Sequence, residues 1–141
     1  MSLQERLVTV LDAVMPIHRE DDGALTVQHD GTFGSLRVVT IAEGLELVSL
    51  TQVLAWDLPL DAKLRAAVAE HAHHTLLGTV SLAAKAGHAE TAVAAKRNSK
   101  KTADVLLRYN FPAAGLTDDA LRTLIVMVLS NGADVRRALV S

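Results

Sequence analysis

Two glycine turns divide residues 25–58 into three apolar runs, and chains divided in this way have few folds open to them. Leu25-Thr26-Val27-Gln28-His29 alternates apolar and polar side chains, the period of a half-buried strand. Asp30-Gly31 follows, and glycine takes positive φ without steric cost, so the pair reads as a hairpin turn. Leu36-Arg37-Val38-Val39-Thr40-Ile41 is the next strand, rich in β-branched residues, and Glu43-Gly44 closes a second tight turn. Leu45 to Leu58 is a longer strand-like run, in which Val48, Leu50, Leu54, Trp56 and Leu58 share one face, broken by Gln52. Strands joined by turns this short pair antiparallel, as a meander.

Helical periods bracket the meander. Leu3, Leu7, Leu11 and Met15, joined by Val10 and Val14, recur at spacings of three and four, with Ser2 as a cap and Pro16 as a stop. After Leu58-Pro59-Leu60 the period switches again. Asp61 is the N-cap of a helix whose stripe is Leu64, Val68, His71 and Thr75, and Gly78 terminates it. Thr79 to Ala83 and Asp104 to Tyr109 read as a fourth and a fifth strand. Between them Lys85 to Thr102 is a polar, alanine-rich excursion, basic at its far end. Thr117-Asp118-Asp119 opens the last helix, a capping hydroxyl followed by acids in the positive first turn. Leu121, Leu124, Ile125, Val128 and Leu129 form its stripe, and Val126 and Met127 make it apolar almost all round. Asn131-Gly132 reads as a break or kink, with a second helical stretch from Asp134 to Val140. The expected fold is a single α+β domain over residues 1–141, an antiparallel five-stranded sheet flanked by helices in the order α-β-β-β-α-β-β-α, with a basic insertion at about 85–102.

Composition narrows the functions open to such a domain. Half of the 141 residues are hydrophobic, which excludes a disordered chain. There is no cysteine, so disulfides, thiol catalysis and cysteine–zinc sites are excluded, which fits the cytoplasmic location expected by default of a chain that reads as having neither signal peptide nor membrane span. Fourteen basic residues face sixteen acidic ones, and aromatics are only 3%, which argues against a nucleic-acid binder built on general basicity or base stacking. The longest strongly apolar run, Leu124 to Leu129, is far short of the ~20 residues of a membrane span. The first residues, with Glu5 and Arg6 early and no apolar stretch behind them, do not read as a signal peptide.

The element order, and the stretches that carry it, resemble the YbjN-like family of small bacterial proteins and the type III secretion chaperone-like fold. These stretches are Trp56-Asp57-Leu58-Pro59-Leu60 running into the central helix, Leu77-Gly78-Thr79-Val80-Ser81-Leu82, and Leu116-Thr117-Asp118-Asp119-Ala120-Leu121 leading to Ala133-Asp134 and Leu139. The Lys85–Thr102 insertion departs from the compact hairpin of that pattern. The resemblance implies a homodimer that binds an extended segment of a client protein. Some YbjN-like proteins are labelled sensory or regulatory. Fold is not function, so the client-binding role carries over as analogy.

His71 and His74 lie three apart on a helix and within reach of one metal ion, but no further ligand stands at a diagnostic spacing, so satisfied or surface histidines are the preferred reading, with no metal or other cofactor expected. Lys96, Arg97, Lys100 and Lys101 form a possible anion-binding cluster whose plainer reading is a solvated loop tip. The carboxylate pairs Asp21-Asp22 and Asp118-Asp119 read as a turn and a helix start, and no phosphate loop, nucleophile elbow or HExxH motif is present, so no enzyme is expected. Trp56 reads first as a core or border residue and second as a binding hot spot.

The aliphatic supply completes the reading. A helix apolar on all sides must be buried on all sides, and Leu45, Leu47 and Val53 add a second apolar face to the third strand. One small protomer has difficulty covering both. A two-fold homodimer burying ~800 Å² per partner is therefore expected. Val48, Leu50, Leu54, Trp56, Val126 and Met127 are the expected client or dimer surface. The function so reached is noncatalytic protein binding, with regulatory binding of nucleic acid or an acidic ligand through residues 96–101 as the alternative.

Overall fold

The computed structural model describes residues 2–85 and 101–140. In chain order these form α1 (Leu3–Asp12), β1 (Ile17–Arg19), β2 (Leu25–His29), β3 (Thr32–Ala42), β4 (Leu45–Pro59), α2 (Ala62–His74), β5 (Thr79–Lys85), β6 (Thr102–Pro112) and α3 (Asp118–Val140). The strands make one antiparallel sheet in the order β1-β2-β3-β4-β6-β5. The sheet thus has six strands rather than the expected five. The additional one, β1, is three residues long, too short to show a period, and pairs Ile17 with Val27 and Arg19 with Leu25. Pro16 prepares it, because a residue without an N–H cannot continue α1 but can precede an edge strand.

The helix starts lie where the capping residues predict. Ser2 Oγ accepts from Glu5 N–H at 3.1 Å, Asp61 Oδ1 from Leu64 N–H at 2.8 Å, and Thr117 Oγ1 from Ala120 N–H at 3.1 Å. All three helices pack on one face of the sheet. There Leu7 and Leu11 of α1, Leu64 and Val68 of α2, and Leu121, Ile125, Val128 and Leu129 of α3 meet Leu25, Leu36, Val48, Leu50, Val105 and Leu107 of the strands in one cluster. No described helix packs on the other face.

Two details of this core correct the sequence reading. First, α3 runs unbroken through Asn131-Gly132 to Val140. Gly132 is not a breaker but the point of closest approach to the sheet. Gln52 of β4 is completely buried beneath it, and a Cβ at Gly132 would lie within 2.7 Å of Gln52 Nε2 and closer still to Oε1. The Gln52 amide donates to Thr32 Oγ1 at 2.8 Å and to the Leu129 carbonyl at 3.0 Å, while its Oε1 has no partner among the described residues. The glutamine that interrupts the apolar face of β4 therefore stays on that face and ties β3, β4 and α3 together.

Second, β4 changes register against β6 between Val53 and Ala55, and again between Ala55 and Leu58. A bulge of this kind lets two consecutive residues point to the same side, and here Leu54 and Ala55 are both buried. Trp56 consequently does not share a face with Val48, Leu50 and Leu54. It is turned outward and is 45% exposed. Asp57, next in line, takes a positive φ of 55°.

Candidate partner-binding surface

The helix-free face is read directly from the strand registers. Gln28, Phe33, Val53, Leu106 and Ser81 stand side by side across β2, β3, β4, β6 and β5. Their neighbours along the strands are polar: Thr26, Ser35, Thr51, Arg108 and Thr79 form the next row. Beyond it Arg37, Ser49 and Asn110 form a third row, and Val39, Leu47 and Pro112 a fourth that is apolar again. Phe33 and Val39 are more than a third exposed, as are Ile41 and Leu45 at the tip of the β3–β4 hairpin.

Trp56 flanks this first row, three residues along β4 from Val53. It lines a shallow hollow with Phe33 and the β2–β3 turn, residues 28–32. The turn is held in place from behind. Arg136 of α3 lies against Gly31, where a Cβ would come within 2.8 Å of its Nε, and its Nη1 donates to the Leu54 carbonyl at 2.8 Å. The same arginine thus fixes the hairpin turn and the β4 bulge, the two walls of the hollow. The bulge is pinned from the other side as well. Lys85 Nζ lies 2.7 Å from Asp57 Oδ1 and 3.1 Å from Asp104 Oδ1, and Asp104 Oδ1 accepts the Asp57 N–H at 3.0 Å. The hydrogen bond to Asp57, followed by that to Asp104, holds the Lys85 ammonium above the usual lysine range. At the far end of the face Asp22 is held below the usual carboxylate range, first by the Ala24 N–H and then by Arg37 at 2.6 Å. This tie accordingly persists as pH falls, until Asp22 protonates below the ordinary carboxylate pKa.

The expected site residues divide sharply on this structure. Val48, Leu50 and Leu54 are 0% exposed, so their place on a partner or dimer surface is corrected: they lie in the core on the face that α3 covers and have no side chain left to offer. Trp56 is open to solvent, Val126 is half-buried and Met127 is 52% exposed on the outer side of α3. Lys101 is exposed, whereas Lys96, Arg97 and Lys100 lie outside the described residues. His73 and His74 are exposed on the last turn of α2, where His74 Nε2 meets Glu70 Oε1 at 2.7 Å, and His71 is half-buried. Among the described residues no three of His, Asp and Glu converge as a ligand set. Asp118 is paired with Arg6 and Asp119 with Arg122, each at 2.9 Å. Phe33, Val39, Ile41 and Leu106 were missed as surface candidates. Their signal was the opposite parity of each strand to its core residues, already visible in Leu45, Leu47 and Val53.

No family model matches the sequence, and no curated protein matches it significantly. Among solved structures, the chain is similar to YbjN from E. coli, described as "a putative transcription regulator", with a TM-score of 0.57 and 12% identity, over 94% of this chain and 87% of that one. The YbjN-like fold expected from the element order is therefore the observed fold. Among the described residues no helix is long and apolar enough to cross a membrane.

Proposed function

We propose that this chain is a noncatalytic protein-binding module, acting as a homodimer and taking a segment of a partner protein on the helix-free face of its sheet. The observation that carries the reading is the row Phe33, Val53 and Leu106 with exposed Trp56 beside it, three residues along β4 from Val53. An antiparallel sheet with one face in water normally sets polar side chains there, and exposed apolar groups gathered into one patch mark an interaction site. A cytoplasmic location belongs to the same reading. The test is a photo-crosslinker, p-benzoylphenylalanine, placed at Phe33 and, as a control, at Thr123 on the exposed side of α3, followed by irradiation in the native cell. Discrete adducts from Phe33 alone are expected. Adducts from neither position, or equally from both, would overturn the reading.

The homodimer draws support from Met127, which α3 presents to solvent beside half-buried Val126. Met127→Glu is expected to convert a dimer at micromolar concentration to a folded monomer, read by gel filtration with light scattering. A wild-type monomer, or a variant that remains dimeric, removes this part.

A second reading draws on the description of YbjN as a regulator and on the basic residues Lys96, Arg97, Lys100 and Lys101. It makes the chain a binder of nucleic acid or an acidic ligand. With a labelled DNA duplex, log K would then fall linearly with log salt, with a slope of about −0.9 per phosphate contacted, and reversing the four charges would abolish binding. A duplex that shows no such binding at low salt retires this reading.

A further inference from the structure

The hollow at Trp56 continues past Phe33. A second hollow, between the β1 edge and β2, shares Gln28 and Phe33 with it, so the two form one groove running from Pro16 and Ile17 to Trp56. It crosses β1, β2, β3 and β4, three inter-strand spacings or about 15 Å, the length of four or five extended residues. Because it runs across the strands, an occupant lies over side chains instead of adding to the sheet as a further strand. Apolar surface comes from Pro16, Phe33 and Trp56, while Ile17, paired with Val27, turns its side chain toward the core. The charged lining is of one sign: Glu20 lines one half and Asp30 the other, and no lysine or arginine lines either. The groups that face these acids are His18, 3.7 Å from Glu20, and His29 and Arg137, 3.7 and 3.9 Å from Asp30, with Arg137 reaching in from outside the groove.

We infer that this groove takes an extended polypeptide segment of four or five residues that alternates apolar side chains with lysine or arginine. The apolar groups would lie on Phe33 and Trp56 and the cations at Glu20 and Asp30, where opposite charge across an interface sets register and excludes acidic competitors. The inference rests on the protein-binding reading above and names the chemistry of its partner.

Trp56 is the only tryptophan of the chain, so its fluorescence reports the occupancy of the groove directly. Three capped hexapeptides serve as probes against the full chain: one alternating leucine and lysine, one alternating leucine and glutamate, and one alternating serine and lysine. The leucine–lysine peptide is expected to shift Trp56 emission to the blue with saturation, and each of the others to bind at least about tenfold more weakly. Glu20→Gln combined with Asp30→Asn should reduce leucine–lysine binding about tenfold, with far-UV circular dichroism and Tm unchanged, since both residues are exposed and asparagine tolerates the positive φ of 46° at Asp30. Asp22→Asn, an acid outside the groove, should leave binding as it is. Equal binding of the lysine and glutamate peptides overturns the inference. So does a loss in Asp22→Asn equal to that in the double variant, or Trp56 emission already shielded from iodide by a second copy of the chain. Phe33 adducts in the native cell together with any of these results would leave the protein-binding reading standing and remove the charge assignment alone. Absence of those adducts counts against the broader reading independently.

Discussion

Gly132→Ala is expected to destabilise the protein by about 2–3 kcal/mol, the opposite of what the substitution does in an ordinary helix. In an open helix interior, alanine in place of glycine gains about 1 kcal/mol. Here the new methyl group would enter the space of the Gln52 amide. Overpacking a well-filled core costs about 1–3 kcal/mol. Moving Gln52 also breaks its bonds to Thr32 Oγ1 and the Leu129 carbonyl in a place water does not reach, at about 1–3 kcal/mol for a buried polar group left unpaired. These costs outweigh the propensity gain, and for a chain of this length the Tm should fall by roughly 7 °C. The double variant isolates the cause. With Gln52→Ala already in place, Gly132→Ala should become neutral or stabilising in urea titration. A rise in Tm on Gly132→Ala alone, or the same loss in both backgrounds, would show that the contact with Gln52 is not what makes a glycine necessary.

Leu50→Ala and Trp56→Ala, six residues apart on one strand, should separate stability from binding. Leu50 is fully enclosed between β4 and the helices, and truncating such a leucine costs about 2–5 kcal/mol. That is a large part of the ~5–15 kcal/mol that holds a domain together. Trp56 stands outside the core beyond the bulge, so Trp56→Ala should cost no more than about 0.5 kcal/mol, as surface changes do. Capture should show the reverse order. At a temperature where both variants are folded, Trp56→Ala should strongly reduce the Phe33 adduct, while Leu50→Ala should leave the yield per folded molecule unchanged. Circular dichroism against urea measures the first quantity and adduct yield the second. Equal loss of stability in the two variants would return Trp56 to the core, and an undiminished adduct in Trp56→Ala would remove it from the binding surface.

The legible and the illegible parts of the fold differ in how local their causes are. The caps at Ser2, Asp61 and Thr117, the turns at Asp30-Gly31 and Glu43-Gly44, and the meander between them follow from residues a few positions apart, so the pattern suffices. Apart from the short strand β1, the differences concern long-range partners. Asn131-Gly132 has the composition of a helix breaker, and only the presence of Gln52, some eighty positions earlier, shows the glycine to be a packing contact. The even-numbered face of β4 is correct through Leu54, but a bulge set by pairing with β6 reverses the parity at Trp56, and nothing within the strand announces it. Strand β1 is too short for any period. The same parity rule decides the binding surface. It places Val48, Leu50 and Leu54 together, yet which of the two faces the helices cover is settled only by packing, so the pattern alone does not tell these core residues from Phe33 and Leu106 on the open face.

The place of β4 in the sheet has a consequence for biosynthesis. Its two flanks are closed by strands from opposite directions along the chain: β3, which precedes it immediately, and β6, which begins at Thr102, long after β4 ends at Pro59. On a ribosome adding about 5–20 residues each second, the inner flank is paired at once while the outer one waits for seconds. Throughout that interval the nascent chain presents an unpaired edge fifteen residues long, the kind of template on which neighbouring chains aggregate. Folding is completed by a distant pairing, which loop closure makes slow, so the outer edge of β4 stays open until β6 arrives.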